Sequence, residues 1–152
     1  YVRDAGREWF EIWVPHCPMT WRRPKLVWRD ISERPIFWVD KSEGVVNGDC
    51  YWMVCNAERD EQLLWLAAAV GNSTFIEKFY DHCFNNKLYA GRRRFITQYV
   101  DKFPVPDPES AIAQKIITAA KAVYAKGGAS ASAEEEINAL VWKAFGLSVE
   151  EI

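Results

Sequence analysis

Residues of the kind used in catalytic and metal sites are scarce in this chain. It has two histidines, and its four cysteines include no Cys-x-x-Cys spacing, so neither a disulfide scaffold nor a zinc module is strongly indicated. No apolar run approaches the roughly 18 residues of a membrane span. The formal charge is only −2, which argues against wholesale electrostatic capture of a polyanion. We therefore expect a cytoplasmic protein with no membrane partner and with reduced, mostly buried cysteines.

A zinc site is the alternative role for the cysteines, because His-Cys pairs supply suitable ligands. Such a site would make the chain a small metal-dependent hydrolase. We favour a strand from Cys50 to Cys55 in which both residues are small apolar side chains, and so we predict no metal site. The candidate zinc ligands are His16, Cys17, Cys50, Cys55, His82 and Cys83.

The chain also lacks the sequence signatures of nucleotide and methyl-transfer chemistry. No two glycines are separated by one residue, no Pro-Pro occurs, and there is no Gly-x-x-x-x-Gly-Lys loop. Asp30 has Arg29 and Arg34 nearby, so we expect it in an ion pair rather than as a catalytic acid. We therefore predict a non-catalytic binding domain with no catalytic residues and no cofactor of its own.

Positive charge is concentrated in two segments of the first two-thirds of the chain. Residues 20–34 hold five bases and two acids, a net charge of +3, and residues 84–102 hold five bases and one acid, a net charge of +4. Residues 106–152 hold four lysines and seven acids, a net charge of −3. A polyanion is expected to bind where the positive charge is concentrated.

The pattern of apolar residues predicts an α+β fold, in which an N-terminal, twisted, mostly antiparallel sheet precedes helices and a C-terminal helical hairpin. Runs rich in β-branched and aromatic residues, separated by prolines and glycine-containing turns, predict the strands. These predicted strands are residues 9–14, 25–30, 36–39 and 50–55.

Helical periodicity begins near Asp60. The first helix is expected to end at Gly71 in a C′ position, and the second to start at Asn72 or Ser73. A short third helix is predicted over residues 96–102, before Pro104 stops it.

Two further helices form the predicted C-terminal hairpin. Asp107-Pro108 is expected to start the first, because Asp can cap free N–H groups and Pro fits the first turn. This helix ends near Lys126. Ser132 and Glu135 form a capping box for the second helix.

Four blocks of sequence follow one another along almost the whole chain, and together they are hard to match by chance. The third, which begins at Gly91, is the most specific. The blocks are PKLVWRDIS (24–32) with Pro35 and Phe37, DCYW (49–52) with LLWL (63–66) and Asn72-Ser73, GRRRFITQYVDKFPVP (91–106), and INALVWKAFGLSVEEI (137–152).

These blocks resemble the TaqI-type specificity domain of adenine-N6 DNA methyltransferases, which is found in type II and fused type IIG restriction enzymes and in related phage-defence methylases. The chain departs from the family's pattern at Val70-Gly71, where two larger apolar residues are expected. The first residue, Tyr1, is not an initiator Met, which suggests a domain excised from a longer protein.

The resemblance implies a bacterial, cytoplasmic, non-catalytic domain that lies across the major groove of double-stranded DNA and reads its bases. A preceding catalytic domain of the same parent chain, with S-adenosylmethionine as its cofactor, would flip and methylate the adenine. We expect residues 1–106 to form the target-recognition domain. Residues 107–152 would form a hairpin packed on that domain or on the missing catalytic domain.

The candidate DNA-binding residues come from the two positive segments. Arginine can bond guanine N7 and O6 or clamp phosphates, and glutamine can bond adenine with two hydrogen bonds. Gln98 is favoured as structural, because Phe95 and Tyr99 suggest a packed helix. The alternative role for the arginines is a solvated or acid-paired surface. The candidates are Arg92, Arg93 and Arg94 first, then Trp21, Arg22, Arg23, Lys25, Arg29, Lys87 and Gln98.

A protein-interaction module that docks onto a catalytic subunit is the competing hypothesis. It assigns the main role to apolar residues of the hairpin, and substitutions there would then matter more than substitutions of the arginines. The residues it singles out are Ile112, Ile116, Leu140 and Phe145.

Overall fold

The order of strands and helices confirms the predicted α+β class. The computed structural model describes residue 6 and residues 17–46, 48–57, 60–84 and 87–148. Within these ranges four strands of small antiparallel sheets come first and helices follow, with a fifth, two-residue strand between the second helix and the third. None of the helices in these ranges is both long enough and apolar enough to cross a membrane.

The described strands form two antiparallel sheets. Strand β1 is central in the first sheet, between β3 and β4, while β2 pairs with β5 in the second. The predicted strands at 25–30, 36–39 and 50–55 are confirmed, and the one at 9–14 lies outside the described residues. The strands are β1 (Lys25–Arg29), β2 (Ile31–Ser32), β3 (Phe37–Asp40), β4 (Cys50–Met53) and β5 (Arg93–Arg94).

The helices cover one face of the β1 sheet. Helix α1 packs on β1 and β3, and the α4–α5 hairpin packs on the other side of α1. The fully buried side chains of Trp28, Leu66, Ile76 and Ile116 share one core, so the hairpin is joined to the rest of the chain by apolar packing. The helices are α1 (Glu61–Gly71), α2 (Thr74–Cys83), α3 (Thr97–Val100), α4 (Ala111–Ala125) and α5 (Ala131–Ala144).

Both helices of the hairpin begin at a different residue from the one predicted. Ser110 caps α4, because the carboxylate of Asp107 instead accepts the N–H of Glu109 at 3.0 Å in the preceding turn. Ser130, not Ser132, caps α5. Each capping serine has the extended backbone that an N-cap needs.

The cysteines are less buried than predicted. Cys17 and Cys83 are exposed, and Cys50 and Cys55 are half-buried. The last two lie at or near the ends of β4, which is an edge strand of its sheet among the described residues. In the part of the chain that the structure describes, no three His, Cys, Asp or Glu residues are grouped as a metal site; His16 lies outside it.

Gly71 is the last residue of α1 rather than a C′ residue beyond it. A Cβ at this position would lie 2.8 Å from the ring of Phe37, so the end of the helix approaches β3 more closely than any larger residue permits. The next residue, Asn72, accepts the backbone N–H of Phe37 and donates to its carbonyl, both at 2.7 Å. The Val70-Gly71 departure therefore marks a close contact between helix and sheet.

Gly71→Ala should destabilise the fold by about 1 to 3 kcal/mol, because the added methyl overpacks the site against Phe37. In an ordinary helix interior the same change stabilises by about 1 kcal/mol, so the sign of the effect is diagnostic. Urea unfolding of the two proteins measures it. The penalty should shrink in a Phe37→Leu background; a more stable Gly71→Ala protein would show that the contact is absent.

Candidate functional site

The three consecutive arginines at 92–94 do not share one environment. Arg93 and Arg94 form β5, in which successive side chains point to opposite faces. Ser32 and Arg93 are paired and both buried, whereas Ile31 and Arg94 are paired and both exposed. Arg92 is exposed like Arg94. The pairing with β2 therefore turns one of the three arginines inward.

The inward arginine, Arg93, is fully paired. Its Nε and Nη2 donate to the two carboxylate oxygens of Asp81 at 2.6 and 2.7 Å, and Nη2 lies 3.0 Å from Glu77 Oε1. Nη1 donates to the backbone carbonyl of Glu33. This bidentate geometry is the strongest form of the Arg–carboxylate contact. Arg93 thus links β5 to α2 and to the turn after β2.

Asp81 is the centre of this network. Hydrogen bonds from Arg93 lower the pKa of its carboxyl group from 3.8 to about 2, and the Lys87 ammonium, 2.9 Å away, acts in the same direction. The Asp81 carboxylate raises the pKa of Arg93. Lys87, a candidate DNA-binding residue, is therefore paired but still half exposed.

Backbone groups of Arg94 and Phe95 are also held. Tyr80 donates its hydroxyl to the Arg94 carbonyl at 2.7 Å, and the buried indole of Trp28 donates to the Phe95 carbonyl at 2.8 Å. The Phe95 N–H donates to the carbonyl of Asp30 at 2.6 Å. The segment that carries the arginines is therefore fixed to β1, β2 and α2.

Arg94 is exposed but paired with a carboxylate. Its Nε and Nη2 donate to the two oxygens of Asp30 at 3.2 and 3.4 Å. The ion pair expected for Asp30 is confirmed, although the partner is not Arg29 or Arg34. Two chain-distant segments meet here, which local spacing does not reveal.

Lys25 is another candidate that the structure buries completely. Its ammonium donates to the carbonyls of Trp21 and Ser42 at 2.9 and 2.8 Å and lies 3.3 Å from Asp40. Partial burial raises the pKa of Asp40, but hydrogen bonds from Ser42 and Lys25 outweigh this and lower it. Lys25 therefore joins β1 to the segment before it and to the loop after β3.

The other N-terminal candidates lie around the same end of β1. The Trp21 ring is 4.3 Å from that of Trp52, so it packs on the sheet. Arg23 donates to a backbone carbonyl just after β4. Arg22 is exposed, 3.9 Å from the Glu43 carboxylate. This end of β1 lies about 13 Å, roughly four strand residues, from the end that carries Arg29.

Three arginines meet at the opposite end of β1. Arg29, Arg34 and Arg92 line one open groove of about 560 Å³, and all three are exposed. Among the described residues no carboxylate forms an ion pair with any of them. Arg29 and Arg92 are among the predicted candidates; Arg34 is not, although the net charge of its segment pointed to it.

Two carboxylates share this groove. Glu33 and Glu77 also line it, but Glu77 is already paired with Arg93. The groove therefore carries an excess of positive charge that is available to a ligand. Its rim continues into the turn that precedes β5.

That turn exposes an aromatic ring. Tyr89 is 80 % exposed, and the guanidinium carbon of Arg92 lies 5.7 Å from its ring centroid, a cation–π contact.

Gln98 lies elsewhere, on the exposed side of α3, whereas Phe95 is fully buried and Tyr99 packs against the core. The packed helix that was predicted is present, but Gln98 itself faces outward.

Two comparisons place this chain among known proteins. Residues 3–105 match the family described as the TaqI-like C-terminal specificity domain. The chain is also similar to the type II methyltransferase M.BanIII of Aneurinibacillus aneurinilyticus, with 39% identity over 117 residues, which cover 77% of this chain and 20% of that protein. The matched part of the chain therefore spans about a fifth of the length of this relative.

Acid should remove the contribution of Asp81 to stability. Its pKa is depressed in the folded protein, so the contribution is complete above about pH 4 and is lost as the pH falls towards 2. With 26 % of the side chain exposed, we expect about 1 to 2 kcal/mol. Urea unfolding of the wild-type protein and of Asp81→Asn between pH 2 and 7 measures it.

The matched control is Asp101→Asn, which removes an exposed carboxylate. The gap in stability between wild type and Asp81→Asn should close on acidification, and the control should show no such closing gap. A gap that stays constant from pH 7 to pH 2 would contradict the ionic role of Asp81.

Proposed function

The chain belongs to the family of TaqI-like C-terminal specificity domains, and on that premise we propose that it recognises double-stranded DNA for an adenine-N6 methyltransferase. In this proposal the catalytic domain lies elsewhere in the same parent chain. The similarity to one fifth of a type II methyltransferase supports an arrangement of this kind. The chain itself positions the DNA and performs no chemical step.

The observation that carries the proposal is the groove lined by Arg29, Arg34 and Arg92. Guanidinium groups suit phosphate and guanine because they present fixed, paired N–H donors. These three have no ion pair with a described carboxylate, so no such contact must break before they bind. Arg93 and Lys25, by contrast, are buried in complete networks, and we leave them out of the proposed surface.

Apart from Gln98 on α3, the remaining candidates fall into two groups. Lys87 and Arg94 are each paired with a carboxylate and would have to leave it in order to bind DNA. Trp21, Arg22 and Arg23 lie at the other end of β1 and belong to a different part of the surface. We therefore place the DNA along the Arg29 end, with phosphate contacts as the main source of affinity.

We propose that S-adenosylmethionine does not bind to this chain. Every described strand pairing is antiparallel, and the glycine-rich strand-to-helix turn that cradles such cofactors is missing from the sequence. We assign the cofactor to the proposed catalytic domain, and in this proposal the residues of this chain take no part in methyl transfer.

Two of the four residues that the competing interaction-module hypothesis singles out, Ile116 and Phe145, pack in the chain's own core, whereas Ile112 and Leu140 are half-buried. Ile116 is fully buried, and Phe145 stacks on Phe75 with ring centroids 4.2 Å apart. Substituting these residues would damage the fold whatever the partner is. The α4–α5 hairpin nevertheless supplies a useful control surface, because its lysines are exposed and lie outside the proposed groove.

Replacing Arg29, Arg34 and Arg92 together with Ala should weaken binding to duplex DNA by at least about 10-fold at moderate salt. The slope of log affinity against log salt should fall by about 2 to 3, since each lost phosphate contact removes roughly 0.9. Fluorescence anisotropy of the 152-residue chain with a labelled duplex across a salt series measures both quantities.

The matched control replaces Lys115, Lys121 and Lys126 of the α4 segment with Ala, which changes the net charge by the same amount. These lysines are exposed, and binding should change little. Equal losses of DNA affinity in the two variants would show that the effect depends only on net charge. Absence of binding by the wild type at low salt would rule out the proposed function for this chain.

A further inference from the structure

Tyr89 is the most exposed large hydrophobic residue in the described ranges. It is 80 % exposed, against 68 % for Val45 and 59 % for Met19. Its ring lies at the rim of the groove lined by Arg29, Arg34 and Arg92, because Arg92 also contacts the ring. An apolar ring with a polar tip beside a cation suits a surface that is partly apolar and partly polar.

The turn that carries Tyr89 has a defined shape. The Leu88 N–H donates to the Arg92 carbonyl at 2.7 Å, and the Arg92 N–H donates to the Tyr89 carbonyl at 3.4 Å. The two central residues have positive φ, 57° at Ala90 and 71° at Gly91, as in a type I′ turn. Alanine adopts this conformation at a cost, and such residues concentrate at functional sites.

The base of this turn is anchored to the scaffold. Lys87 pairs with Arg93 across it, and Arg93 is held by Asp81 and Glu77. Tyr89 and Arg92 are therefore presented on a short turn whose two ends cannot move independently. The backbone that carries the Tyr89 ring is therefore anchored beside the groove, which favours a contact with one base.

We propose that Tyr89 is a specificity-determining residue that contacts the C5 methyl group of a thymine in the major groove. The inference rests on the proposed function, because it requires DNA in the groove. Thymine methyl is the apolar group on base edges in the major groove, and the exposed ring offers it a matching surface. The Arg92 guanidinium beside the ring is placed to bond N7 and O6 of a neighbouring guanine.

This assignment separates two kinds of contact. Arg29 and Arg34 bind phosphates, which set position and affinity but carry no base information. Tyr89 contributes little to affinity for arbitrary DNA, and its loss changes which base is preferred at one position. The two roles therefore leave different signatures in the sequences that the protein selects.

The test starts with selection from a pool of randomised duplexes, followed by sequencing, with the 152-residue chain and its variants. The variants are Tyr89→Ala, Tyr89→Phe, the Arg29→Ala/Arg34→Ala pair, and Val45→Ala as an exposed apolar control on another loop. The selected duplex is then remade with uracil in place of thymine at each position, which removes only the methyl group.

Tyr89→Ala should lose the preference for thymine at one position, while Tyr89→Phe and Val45→Ala keep it. Uracil at that position should weaken wild-type binding by about 3- to 10-fold and leave binding by Tyr89→Ala unchanged. The Arg29/Arg34 variant should select the same sequence with lower affinity. The urea midpoint of Tyr89→Ala should match that of the wild type, because the side chain is exposed.

An unchanged selected sequence for Tyr89→Ala would overturn the inference and leave the proposed function standing. The inference would also be overturned if Tyr89→Ala lost the preference for thymine but uracil at that position did not weaken binding by the wild type. The ring would then not contact the methyl group. If the wild-type chain neither binds nor selects any duplex, both the proposed function and the inference fail. The two failures are therefore distinguishable.

Discussion

The arrangement of this surface depends on the ion pairs and hydrogen bonds of the buried Arg93 guanidinium. A buried charge is stable only when its partners satisfy it completely, and Asp81, Glu77 and the carbonyl of Glu33 do so together. These partners come from α2 and from the turn after β2. Once they are in place, strand alternation fixes Arg94 and Arg92 on the outside, and the bridge between Lys87 and Arg93 anchors the base of the turn that carries Tyr89.

Several residues of the recognisable sequence blocks stabilise the scaffold. The Trp28 indole holds the Phe95 carbonyl, and Asn72 bonds the backbone of Phe37 like an additional strand residue. Gly71 has no side chain and so leaves space for that contact beside the Phe37 ring. The groove and the exposed ring lie between and beside these contacts, on short connections held at both ends. This is the usual division between a rigid scaffold and binding residues on its loops.

Runs rich in β-branched and aromatic residues predicted β1, β3 and β4, and helical periodicity with helix-start residues predicted the helices, because elements of four or more residues leave a trace in the sequence. The two-residue strands β2 and β5 are too short for such a trace. Helix starts were missed where several capping residues compete locally, as Asp107 and Ser110 do. The candidate site was predicted only in outline, since charge density finds the basic segments but not the partner of each arginine.

The amino-acid sequence alone was enough to predict the fold class, the basic character of two segments, the absence of methyl-transfer motifs and the resemblance to a specificity-domain family. These are properties of composition and of neighbours along the chain. Tertiary structure alone decided that Arg93 and Lys25 are internal, that Arg94 pairs with Asp30, and that Arg29, Arg34 and Arg92 share one groove. The reason is physical: whether a charge is available depends on which distant carboxylates the fold brings to it.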